Sequence, residues 1–416
     1  MAYAFLSESI PIYPVYALLF AQHGLSAAEI SSLFVVWSAT TFLFEVPSGA
    51  WADVVSRRAL LAASAVVNGL GYALWVAWPG YTGFLIGFVL WGLASALASG
   101  TYEAFTYDEL AAAGQEHRYA QVIGWTTTAG LVGLLLSNLA AAPLIDLGGI
   151  ELTGWISFGV CCVNALVALS LPRASPHTEA ALRGGRFAPS SGTGFECDPE
   201  IDQRGGPLAR WWTMLRAGTR EATTHQVVRR AVVLTALMYG FLAFDEYFGL
   251  VFVDLGATTA MVALLTAATA AAQALGGLLA GPAARLSALS MAALTAVSAM
   301  LIGVGAALSL YPAVVGISLG YGVLQLVLIV TEARLQDAIE GPARATVTSV
   351  AGLGSEIFAM GLYAGFAIGS FWLGYAALVS GMAVLVVVVA GLFPRWLPPP
   401  VLDDSEDPEI PEKTTT

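Results

Sequence analysis

Four carboxylates stand inside otherwise apolar stretches of this 416-residue sequence: Glu8, Asp245, Glu246 and Glu356. An unpaired carboxylate in hydrocarbon is costly, so such positions are candidates for chemistry before they are candidates for packing. With a rise of about 1.5 Å per residue, Glu356 falls near the middle of its apolar run and Glu8 part-way into the first. Asp245 and Glu246 fall in the outer half of theirs, and no arginine shares the depth of any of the four. An acid buried without a basic partner favours its neutral form, the property that reversible proton binding requires. The four are therefore offered as proton carriers; the plainer alternative for each is an acid that stays protonated and bonds a neighbouring helix. Asn68, Asn138, Asn164, Gln273, Gln325, Tyr239, Tyr247, Tyr321 and Trp37 lie at similar depth. A few polar groups among aromatics would suit a mostly apolar ligand, with Tyr239, Tyr247 and Gln325 as possible cavity residues. Each could equally serve as a contact between helices.

Other chemistry is weakly represented. The three cysteines, Cys161, Cys162 and Cys197, show no CxxC spacing, and the four histidines are far apart, so neither a disulfide framework nor a metal site is expected. GxxxxGK[ST], HExxH and GxSxG do not occur, which argues against nucleotide hydrolysis, zinc proteolysis and an elbow nucleophile. Net charge is −12 with no basic stripe, and nucleic-acid binding is disfavoured. The expectation is a protein that is not an enzyme and needs no cofactor.

The elements that must position these acids follow from composition. Only 11% of residues are charged and 57% are hydrophobic, against about 25% charged in a soluble protein. About 20 apolar residues cross a bilayer, and twelve such runs occur. They cover 2 to 22, 29 to 48, 59 to 79, 81 to 103, 119 to 142, 152 to 171, 228 to 252, 257 to 280, 286 to 308, 310 to 333, 345 to 369 and 372 to 394. An all-α membrane protein of two six-helix bundles, 1–171 and 228–396, is expected. Between them lies a linker, 172–227, rich in Gly, Pro, Ser and Arg. Its Leu208, Trp211, Trp212 and Leu215 share one helical face beside Arg210, Arg216 and Arg220, as in a helix lying on a membrane surface, although an irregular loop would also accommodate them. The tail, 397–416, holds six acids and several prolines and is expected to be solvated and disordered.

Orientation follows from positive charge. With the N-terminus in the cytoplasm, all 16 arginines and Lys413 fall on or within a turn of the cytoplasmic side, and the opposite connections contain neither Arg nor Lys. Both termini and the linker are therefore expected in the cytoplasm of a cell whose inner membrane the chain spans.

The halves also share motifs. Gly49-Ala-Trp-Ala-Asp53-Val-Val-Ser-Arg57-Arg58 follows the second run, and Gly277-Leu-Leu-Ala-Gly281-Pro-Ala-Ala-Arg285 follows the eighth. Glu103-Ala-Phe-Thr-Tyr-Asp108 ends the fourth, and Glu332-Ala-Arg-Leu-Gln-Asp337 ends the tenth. Offsets of 228 and 229 residues keep one register, the mark of internal duplication. The first of these motifs resembles the Gly-x-x-x-Asp-x-x-x-Arg-Arg/Lys signature of the major facilitator superfamily. Glu45-Val-Pro-Ser-Gly49 and the Glu-Ala-x-x-x-Asp ending resemble its bacterial exporter-like members. The Pro143 region departs from the helix-5 glycine and proline pattern of proton-antiport exporters, with the first Gly lost and the spacing stretched.

The resemblance implies a secondary transporter working by alternating access, needing no cofactor beyond a proton gradient and no partner beyond a small-molecule substrate and the bilayer. It implies helices 1, 4, 7 and 10 around the cavity, which places Glu8, Asp245 and Glu246 there, and a monomer suffices. It also implies that Gly49, Asp53, Arg57 and Arg58 form a cytoplasmic latch that controls conformation. Glu103, Asp108 and Arg118, with Glu332, Arg334, Asp337 and Arg344, suggest pseudo-symmetric ion-pair clusters near the hinge. Export of a small amphipathic organic compound is the expected activity; proton-coupled uptake of a sugar or other neutral metabolite is the alternative.

Overall fold

A computed structural model describes residues 1–52, 55–172, 225–339 and 344–400, the side chains of 45–52, 116, 120 and 344–346 excepted. No β-strand occurs among the described residues, and the helices run α1 (Ala2–Glu8), α2 (Tyr16–Gln22), α3 (Ala27–Ala52), α4 (Arg57–Ala77), α5 (Tyr81–Ala98), α6 (Thr101–Ala112) and α7 (Tyr119–Ser170). The second half continues with α8 (Gln226–Gly240), α9 (Asp245–Asp254), α10 (Thr259–Ala283), α11 (Ala288–Ala306), α12 (Leu310–Ala338), α13 (Arg344–Gly369), α14 (Tyr375–Ala390) and the short α15 (Phe393–Trp396). The described residues make twelve spans: α1 with α2 forms the first, the 52-residue α7 is the fifth and sixth, and α8 with α9 is the seventh. Twelve crossings return the chain to the face on which it began, the termini face; the opposite one is the far face.

Three expected spans are interrupted. The first, expected unbroken over 2 to 22, stops at Glu8 and resumes at Tyr16. Pro11 and Pro14 cannot donate to a helix and push Ile10 and Tyr13 out of helical geometry. The Ile12 N–H freed by this break donates to Ser157 Oγ at 3.1 Å. The seventh span tightens to a 3-10 turn over Phe241–Phe244 before α9 begins, and the Leu242 carbonyl accepts from the Tyr321 hydroxyl at 2.7 Å. The fourth breaks after Ala98, with Gly100 left-handed at φ 64°.

The fifth and sixth spans meet in a sharp turn at Gly148 and Gly149, the latter at φ 73°, instead of the longer connection expected over 143 to 151. A residue without a Cβ takes that backbone conformation freely. The expected tail also leaves the fold later than 397. Leu397 is buried and the Pro398 carbonyl is bonded by Arg334. The amphipathic linker segment, 208–220, lies outside the described residues.

Packing repeats from half to half. The second span packs on the fourth, the third on the fourth and sixth, and the first on the fifth; the eighth, ninth and seventh pair with the tenth, the tenth and twelfth, and the eleventh in the same way. The halves meet second against eleventh and fifth against eighth, each contact the image of the other. One seam shows the cause at atomic scale. Ser64 Oγ donates to the Ala94 carbonyl at 2.8 Å, and Ser298 Oγ donates to the Gly320 carbonyl at 2.7 Å. Seven residues after each serine a glycine lets the helices close: a Cβ on Gly71 would stand 2.9 Å from the Gly87 oxygen, and one on Gly305 would stand 3.1 Å from Gly316 Cα. Large apolar side chains such as Leu278, 77% exposed, and Leu289, 70% exposed, lie on the outer surface, where hydrocarbon rather than water covers them.

Candidate functional site

The breaks in the first and seventh spans meet at the centre. Tyr13 and Pro14 come from the first break, Asp245 and Glu246 from the start of α9, and Trp37, Trp91 and Asn138 from α3, α5 and α7. With Thr266, Gln273 and Tyr321 they line a chamber of about 210 Å³ between the halves. Trp91 stacks on Tyr13 with ring centroids 5.3 Å apart and on Trp37 at 4.8 Å. Tyr16 Oη, Trp37 Nε1, Asn138 Oδ1 and Thr266 Oγ1, on residues that line this chamber from both halves, are buried polar atoms with no hydrogen-bond partner in the structure. Such atoms are normally satisfied, so the packing around the chamber holds polar capacity that is not used in this conformation.

Asp245 and Glu246 also line a second chamber of about 260 Å³, with Ser38, Tyr239, Glu356 and Tyr363. Consecutive helical residues diverge by about 100° around the axis, so a pair can serve a wall between two chambers better than the floor of one. Asp245 accordingly keeps an open surface despite its depth. Ser38 Oγ of α3 donates to Glu356 Oε2 of α13 and so joins the two halves. Tyr239 and Glu356 continue into a third chamber of about 590 Å³ at the termini-face ends of the helices, where Glu332, Gln336 and Thr348 stand. There the Tyr239 hydroxyl donates to Glu332 Oε2 at 2.6 Å, and Gln336 Nε2 donates to Thr348 Oγ1 at 2.8 Å.

Glu8 is elsewhere. It ends α1 and lines a cavity of about 560 Å³ inside the first half, with Tyr3, Ser7, Tyr102, Glu103 and Thr126. Of the four intramembrane acids, the fold therefore brings Asp245, Glu246 and Glu356 into adjoining chambers and sets Glu8 apart. Tyr239 faces two of those chambers. Tyr247 borders none of these cavities: it is fully buried, stacked on Phe366 at 3.5 Å, with its hydroxyl bonded to Ser31 Oγ at 2.9 Å. Gln325 is half-buried on α12 and borders none of these cavities.

The charges at the termini face arrange themselves differently from two matched ion-pair clusters. Arg57 pairs with Asp108 and donates to the Ala104 carbonyl at 2.6 Å, and Arg58 donates to the Leu171 carbonyl at 3.2 Å. Arg118 bonds its neighbour Gln115. In the second half Arg334 is spent on the carbonyls of Ala284, Leu286 and Pro398, Asp337 is exposed, and Glu332 holds Tyr239. The Arg57–Asp108 pair has no counterpart among the described residues of that half: Arg285 and Asp337, which match it in the register of the repeat, form no ion pair, and Arg334 caps helix ends. Asp53 and the side chain of Arg344 lie outside the described residues, as does everything at Gly49 beyond its place in α3.

The far side of the central chamber is closed. Phe34 meets Tyr247 at 5.7 Å and Tyr363 at 5.3 Å across the halves, and Gln22 Nε2 reaches Thr259 Oγ1 at 3.3 Å. Sequence reasoning missed Tyr13, Tyr16, Trp91, Thr266, Phe34 and Ser38. Phe84, Phe88 and Trp91 recur at helical spacing and could have marked one face of α5. Ser38 carries no such signal, since only the fold brings it to Glu356.

Residues 1–351 match the family model described as Major Facilitator Superfamily. No curated protein matches the chain. Among solved structures, the nucleoside transporter NupG superposes with a TM-score of 0.70 at 12% identity, covering 94% of this chain and 96% of that one. A POT family transporter in complex with a thioalcohol-conjugated peptide gives 0.63 at 14% identity, covering 94% of both chains. A D-xylose-proton symporter gives 0.62 at 17% identity, covering 96% of both.

Proposed function

The chain belongs to the major facilitator superfamily, a multi-pass membrane transporter and not an enzyme, and from that premise we propose that it couples proton movement to the export of a small amphipathic organic compound. The observation that carries this reading is the placing of Asp245 and Glu246 on the wall between two chambers at the interface of the halves. A carboxyl group there can exchange its proton for contact with substrate as the halves rock around a site near the midplane. The stacked Tyr13, Trp91 and Trp37 offer the apolar part of the compound its surface. On this reading the halves 1–171 and 228–396 work as a monomer in the inner membrane, with the termini and the linker 172–227 in the cytoplasm. Gly49, Asp53, Arg57 and Arg58 latch the cytoplasmic side, and Glu8 is a further proton carrier.

The polar residues that line the chamber, Asn138, Thr266 and Gln273, favour a second reading, proton-coupled uptake of a neutral metabolite such as a sugar; a nucleoside transporter and a D-xylose-proton symporter share the fold. Flux of ethidium, uridine and D-xylose in everted vesicles under an imposed pH gradient separates the two. Export predicts proton-driven ethidium accumulation that Asp245→Asn and Glu356→Gln abolish. Uptake predicts proton-linked movement of uridine or D-xylose. Variants at all four acids that stay active and pH-coupled would end the coupling role.

A further inference from the structure

We propose that Glu332, Tyr239 and Glu356 form a proton relay from the termini face to Asp245 and Glu246 in the wall of the substrate chamber. This rests on the reading of Asp245 and Glu246 as the coupling site. The route is continuous in the walls of the cavities: Tyr239 and Glu356 border both the outer and the middle chamber, and Asp245 and Glu246 border both the middle and the inner one. The middle chamber shares Trp37 with the inner one and adds hydroxyl and carboxyl groups at Ser38, Thr41, Tyr239 and Glu356.

Glu332 is the entry. The titratable groups sharing its chamber are Tyr239 from α8 and Glu356 from α13, with hydroxyls of Thr41, Ser95 and Thr348 around them. The neighbouring Arg334 is turned away onto carbonyls and does not neutralise it. A proton from water binds the Glu332 carboxylate. The Tyr239 hydroxyl, 2.6 Å away, takes that proton as it releases its own inward. Glu356 receives it and passes it to Asp245 or Glu246. Each transfer breaks one O–H bond and forms another, and water can complete the gaps inside polar chambers. Ser38, donating to Glu356 Oε2 from the other half, holds that carboxyl at the joint where the halves must part.

The halves explain why the relay lies on one side. A tyrosine and two acids also stand together in the first half, Tyr3 and Glu8 on the first span and Glu103 on the fourth. Their cavity, however, is lined by the first half alone, whereas that of Tyr239 and Glu332 lies between the halves beside Glu356.

The test follows the protonated-carboxyl infrared band of the full chain in proteoliposomes after a pH jump on the termini face, with no substrate added. The part of the band lost in the Asp245→Asn, Glu246→Gln double variant reports the coupling site. Tyr239→Phe, which keeps the ring, and Glu332→Gln are each expected to slow its response on the order of a hundredfold, the low end of what a positioned proton-transfer group contributes, while leaving its final amplitude unchanged. An unchanged rate in both variants overturns the relay and leaves the coupling site standing. A wild-type band that never responds removes the coupling site, and the relay with it.

Discussion

Arg334 carries a full charge at 2% exposure, and its guanidinium finds carbonyl oxygens rather than a carboxylate. Ala284 and Leu286 follow the end of α10, where carbonyls lack intrahelical partners, and Pro398 lies beyond α15. One side chain thus ties three chain segments at the termini face. Arg334→Ala would orphan those acceptors at about 1–3 kcal/mol each; a clear fall in the detergent melting temperature is expected, and an unchanged melt would show that water replaces the guanidinium. Sequence spacing placed Arg334 near acids and suggested an ion pair, because spacing along one helix is visible and the carbonyls of two other segments are not. The same limit hid Ser38 from Glu356. By contrast Asp245, Glu246 and Glu356 were legible as exceptions, since a carboxylate in an apolar run stands out whatever its neighbours.

At the scale of elements, length and hydropathy located nearly every crossing, but helix breaks were readable only in part. Pro11 and Pro14 gave a local reason for the first break. The 3-10 turn of the seventh span has no proline and depends on contacts from outside, the Tyr321 hydroxyl on Leu242 and the Phe358 ring against Gly240. Close seams likewise depend on pairs. Gly71→Ala sets a Cβ against the fixed Gly87 backbone and should cost about 1–3 kcal/mol. Gly361→Ala, which meets open space in α13, should be neutral or stabilise by up to about 1 kcal/mol. Thermal unfolding of the two variants side by side checks this, and equal stabilities would mean that the third and fourth spans slide apart easily.

For the whole molecule, the aromatic contacts toward the far face and the chambers running from the termini face correspond, on the proposed reading, to one end of an alternating cycle. Phe34, Tyr247 and Tyr363 must separate for the centre to reach the far side. Cysteines at Gln22 and Thr259, introduced after Cys161, Cys162 and Cys197 are made serine, should be joined by a short bifunctional maleimide and stop flux. Reaction with single-cysteine controls should leave flux intact, and full transport by the linked protein would show that this contact never opens. The sequence by itself determined the membrane, the twelve crossings, the duplication and the small set of acids, because each is a local departure from water-soluble composition or a repeat along one dimension. Only the tertiary structure decided which acids share a chamber, that Tyr247 is buried against Phe366 and Ser31, and that Glu332 faces Tyr239. Those facts depend on which side of each helix meets which neighbour, and the breaks at the first and seventh spans reset that rotation in ways that spacing along the chain does not record.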